Sequence, residues 1–94
     1  MKEVTKEKLD KYFAITKEAL AMAKDSGNRL AMAEAREDFV DMIERYVKDA
    51  GHFEKKGDFI NAFAALNYAH GWLDAGARIG LFDVHDSRLF TVDD

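Results

Sequence analysis

Two long stretches of helical periodicity are separated by only Gly57-Asp58, and this constrains the chain more than any other feature. Glycine accepts the left-handed conformation that ends a helix, and aspartate caps the next helix at its positive dipole end. So short a link forces the flanking helices to lie antiparallel and adjacent, as an αα-hairpin. Upstream, Met32, Ala35, Phe39, Met42, Ile43, Tyr46, Ala50 and Phe53 align on one face, close to a heptad seam. The opposite face carries Glu34, Glu37, Asp41, Glu44, Arg45, Lys48, His52 and Lys55. Periodicity predicts this helix from about Arg29 to Lys56 and the next from Asp58 to about Ile79, with Gly80 closing it.

A third helical stretch lies N-terminal to these, from about Thr5 to Lys24. Thr5 is its expected N-cap and Asp25-Ser26-Gly27-Asn28 its stop. Leu9, Tyr12, Phe13, Thr16, Ala19, Leu20 and Ala23 form its apolar stripe, with Ile15 and Met22 to one side. The chain contains no proline to interrupt any of the three. With 94 residues it suits one domain, residues 1–94, folded as an all-α bundle of three antiparallel helices. Residues 83–94 lose the helical period but keep Val84, Leu89, Phe90 and Val92. They are expected to form an extended C-terminal segment packed on the bundle, turning at Asp86-Ser87, while Leu81 and Phe82 fold back on the last turn of the third helix.

The third helix is apolar on two sides. Phe59, Ala62, Phe63, Leu66, Ala69, Leu73 and Ala77 make the core stripe, and Ala65, Tyr68, Trp72, Gly76 and Ile79 make a second surface. A helix apolar all round is covered all round. The cover over Tyr68, Trp72 and Gly76 is either the first helix, through Ile15 and Met22, together with the C-terminal tail, or another chain: an unknown protein partner or a second copy forming a homodimer. The leading expectation is therefore a non-enzymatic interaction or assembly module.

The competing expectation uses Asn67, His70, Asp74 and Arg78, whose steps of three and four place them along one side of the third helix. A carboxylate four residues from a histidine can fix its tautomer and raise its basicity. These four residues are the candidate site of a small-ligand-binding or hydrolytic domain. The weightier reading is a buried hydrogen-bond network in which His70 is satisfied by Asp74 and Asp74 by Arg78.

Other chemistry finds little support. No cysteine is present, so thiolate catalysis and cysteine-ligated metals are excluded. His52, His70 and His85 show no metal-binding spacing, and Asp83, His85 and Asp86 read as a solvated turn rather than a metal site. Arg45 and His52, two turns apart, read as charged helix surface. Ser26 and Ser87 lie in turns without a nucleophile elbow. No catalytic residue, metal or cofactor is expected. A net charge of −4 argues against nucleic acid as the main partner, with Lys48, Lys55 and Lys56 the weaker case for RNA. The charged first eight residues lack the apolar core of a signal peptide. The apolar run from Phe59 to Phe82 contains Asn61, Asn67, His70, Asp74 and Arg78, against a bilayer span. A cytoplasmic, non-membrane protein is expected.

The residues from Tyr46 to Asp58, then Ala62-Phe63, then Asn67 to Gly76, closing with Leu81-Phe82-Asp83-Val84 and Leu89-Phe90-Thr91-Val92, form a pattern. It resembles a small archaeal family known only as a domain of unknown function, family 357. The likeness covers about half of the chain, and its most specific element is the Tyr-Ala-x-Gly-x-Leu-Asp-Ala run from Tyr68 to Ala75. The first helix carries none of these motifs. The resemblance implies a three-helix bundle from archaeal cytosol with no established activity, and it supplies no catalytic residues.

Overall fold

The computed structural model describes residues 3–27 and 32–92. Among them three helices form, and there is no strand: α1 (Lys6–Asp25), α2 (Ala33–Lys55) and α3 (Phe59–Ile79). Local chemistry sets most of the helix ends. The Thr5 hydroxyl accepts the Lys8 N–H at 3.2 Å, satisfying one of the orphan donors of the first turn. At the other end of α1, Ser26 donates its hydroxyl to the Ala23 carbonyl at 2.8 Å. The expected start of α2 at Arg29 lies outside the described residues. From Met32 onward the helix has no side-chain cap.

The α2–α3 link behaves as glycine and aspartate dictate. Gly57 sits at φ 77° and Asp58 accepts the Asn61 N–H at 3.1 Å. Gly80 closes α3 at φ 88°, and the next N–H, from Leu81, returns to the Gly76 carbonyl at 2.8 Å.

Side-chain pairings give the helix directions. Phe39 meets Trp72 and Tyr46 meets Tyr68, so α2 and α3 run antiparallel. Lys6 reaches Glu54 and Lys24 reaches Glu44, so α1 and α2 are also antiparallel. Tyr12 meets Phe63 and Thr16 meets His70, so α1 runs parallel to α3. The result is an up-down-up bundle in which α2 and α3 make the most extensive pairing.

The core has two parts. Near the Gly57 end, Leu9, Phe13, Ala50, Ala62, Ala65 and Leu66 pack together. Toward the other end, Ala19, Ala23, Ile43, Ala69, Leu73 and Ala77 do so, joined by Leu81, Phe82, Val84, Leu89 and Phe90 from beyond α3. Tyr46 and Val47 touch both parts. The C-terminal segment is thus a structural member of the bundle. It crosses residues 83–86 without helix and then turns, with Asp86 accepting the N–H groups of Leu89 and Phe90 at 3.0 and 2.9 Å. Burying a ring such as Phe82 completely is worth about 2–3 kcal/mol, so these residues add substantially to a small core. Among the described residues no helix is long and apolar enough to cross a membrane.

Candidate functional site

The four polar residues of α3 do not form the single network expected of them. His70 is half-buried and faces α1 and the C-terminal segment. Its Nε2 lies 2.5 Å from the Leu89 carbonyl. A carbonyl only accepts, so Nε2 carries the proton. Nδ1, 3.3 Å from Thr16 Oγ1, then accepts the Thr16 hydroxyl in the neutral ring. Thr16 is itself only 1% exposed.

Asp74 lies farther from His70, with 4.0 Å between Oδ1 and Nε2. Its two oxygens instead accept the Thr91 N–H at 2.9 Å and the Thr91 hydroxyl at 3.2 Å. The expected Asp74–Arg78 pair is absent, and Arg78 is exposed, with no ion pair among the described residues. A carboxylate already held by a backbone amide and a hydroxyl gains less from a solvated guanidinium that must give up rotamer freedom. Asn67 is exposed on the outer ridge of α3.

Thr16, Asn67, His70, Gly71, Asp74 and Arg88 line a cavity of about 390 Å³. At its mouth Arg88 binds Asp86 and Glu18. The hydrogen bond that the Arg88 guanidinium donates to Asp86, with the charge of Glu18, pushes its pKa above the ordinary value. Chemically this side of α3 is a set of fasteners. His70, Asp74 and Glu18 each hold one residue of the C-terminal segment, and an imidazole with both nitrogens so engaged has no lone pair left for a substrate.

Arg36, which the sequence does not single out, is a second fastening point. Its guanidinium donates to the carbonyls of Ala23 at 2.7 Å, Lys24 at 3.1 Å and Leu81 at 3.0 Å. It also lies 5.4 Å from the centre of the Phe82 ring. One side chain of α2 therefore satisfies the open carbonyl end of α1 and the chain leaving α3. Nothing local in the sequence marks it, because the groups it serves are distant in the chain.

The aromatic face is built from α2 and α3. Trp72 packs edge-on against Phe39 with 4.8 Å between ring centres, and Tyr68 tilts against Tyr46 at 4.5 Å. The first helix does not cover it, contrary to one expectation: Ile15 and Met22 pack on the core part shared with the C-terminal segment. Tyr68 remains 51% exposed and Ile79 50%. Gly76, expected on this surface, is buried beneath Phe82; a β-carbon there would stand 2.4 Å from Cε2 of that ring. What remains open is a groove of about 410 Å³ lined by Phe39, Asn67, Tyr68, Gly71, Trp72 and Ala75. Asn67 and Gly71 line this groove and the polar cavity alike, so they form the ridge between them.

Elsewhere His85 pairs with Asp83 at 2.8 Å, and Asp86 is engaged by Arg88. Among the described residues no three His, Cys, Asp or Glu side chains gather as a metal ion requires. Arg45 pairs with Asp41 at 3.0 Å, and His52 is exposed.

The family model described as "Protein of unknown function (DUF357)" matches residues 11–82. No curated protein and no solved structure gives a significant match. The matched region takes in most of α1, which carries none of the recognisable motifs, and it stops at Phe82. The residues fastened by His70, Asp74 and Glu18 therefore lie beyond it. With three-quarters of its length matched, the chain belongs to the DUF357 family.

Proposed function

We propose that this protein is a non-enzymatic interaction or assembly module that works through the aromatic face of the α2/α3 hairpin. The archaeal cytosol implied by the family resemblance is its setting. One observation carries the reading: Tyr68 and Trp72 flank an open apolar groove that neither α1 nor the C-terminal segment fills. Tyrosine and tryptophan bury large areas at low entropic cost and dominate interface energetics. The engagement of His70 and Asp74 by the fold's own groups supports a role without catalysis.

The test is to isolate the tagged chain from its own cells beside a Tyr68→Glu variant. Tyr68 is half exposed, so this variant is expected to fold, and its circular dichroism and melting temperature check that it does. A complex held by the wild type and lost from the variant is the expected result. A wild type that stays monomeric and alone, or complexes that the variant retains, overturns the reading.

The cavity beside His70 favours a second reading, a small polar ligand held near the exposed Asn67. Polar metabolites that raise the melting temperature of the wild type but not of Asn67→Ala would support it, and none doing so would remove it.

A further inference from the structure

We draw no further inference here: the strongest candidate, the apolar groove between α2 and α3 beside Tyr68 and Trp72, carries nothing, because exposed Lys56 and Arg78 offset exposed Asp38 and Asp49 on its two helices and nothing in the structure shows what covers it.

Discussion

The Phe82 ring lies directly against the α-carbon of Gly76, so closely that no side chain fits between them. A β-carbon at Gly76 would stand 2.4 Å from Cε2 and 2.6 Å from Cδ2. Phe82 is fully buried and also meets the Arg36 guanidinium, so it has nowhere to swing. In an ordinary helix, Gly→Ala stabilises by up to about 1 kcal/mol. Here overpacking, typically about 1–3 kcal/mol, wins. Gly76→Ala should lower the urea midpoint by the equivalent of about 1–2 kcal/mol, and an unchanged or raised midpoint would contradict the close approach.

Gly71 is the matched control. It lies in the same helix five residues earlier, exposed, with nothing within 4 Å of an added β-carbon. Only the propensity term applies there, so Gly71→Ala should stabilise by about 0.5–1 kcal/mol. Opposite signs for two Gly→Ala changes in one helix, measured in the same urea titration, would be hard to obtain any other way.

Arg36→Ala leaves the carbonyls of Ala23, Lys24 and Leu81 without the guanidinium they share. Partly buried acceptors stripped of a charged donor cost about 1–3 kcal/mol, and the variant should lose about 2–3 kcal/mol in thermal or urea unfolding. Arg36→Lys should recover only a fraction, because an ammonium cannot span three carbonyls in a planar fork. Full rescue by lysine would mean that charge alone matters.

Asp74→Ala removes both acceptors of Thr91. Loss of these charge-assisted bonds should show first as faster amide exchange at Thr91, with a global cost of about 1–2 kcal/mol. Exchange at Ala62 and Leu66, in the other part of the core, should change only through that global term. A Thr91 amide that stays equally protected would show that the segment is held by its apolar contacts alone.

Lys6 gives a pH signature. Its hydrogen bond to Asp10, followed by the charges of Asp10 and Glu54, raises its pKa above the ordinary lysine value. A raised folded-state pKa stabilises fully below the unfolded value, and the benefit disappears as pH climbs through the folded value. The difference in urea midpoint between wild type and Lys6→Gln should therefore be constant at neutral pH and close above about pH 10.4. A gap that persists into strong alkali would show that it does not come from the charge.

The sequence makes the local chemistry of this fold legible. Thr5 as a cap, Gly57 and Gly80 at positive φ, and the Asp58 cap follow from residue type and spacing alone. The return of Leu81 and Phe82 onto α3 is legible from their apolarity after a glycine. What stays hidden is which neighbour covers a given face. Periodicity showed that α3 is apolar on two sides, but not that α2 flanks Trp72 or that Phe82 covers Gly76. His70 and Asp74 suggested each other because they are four residues apart. Their actual partners, Thr16, Leu89 and Thr91, lie at separations that no helical repeat encodes. Arg36 is the clearest case, since its carbonyl partners are offered by residue position in space and not by side-chain identity.

The three residues joining α2 to α3 also shape how the molecule assembles. Closing so small a loop costs little chain entropy, so hairpin contacts such as Tyr46 with Tyr68 should form early in folding. The N-terminal helix and the strap beyond Phe82 then add to a scaffold that already exists. Substitutions in the hairpin should therefore slow folding, whereas those at Thr16 or Thr91 should chiefly hasten unfolding.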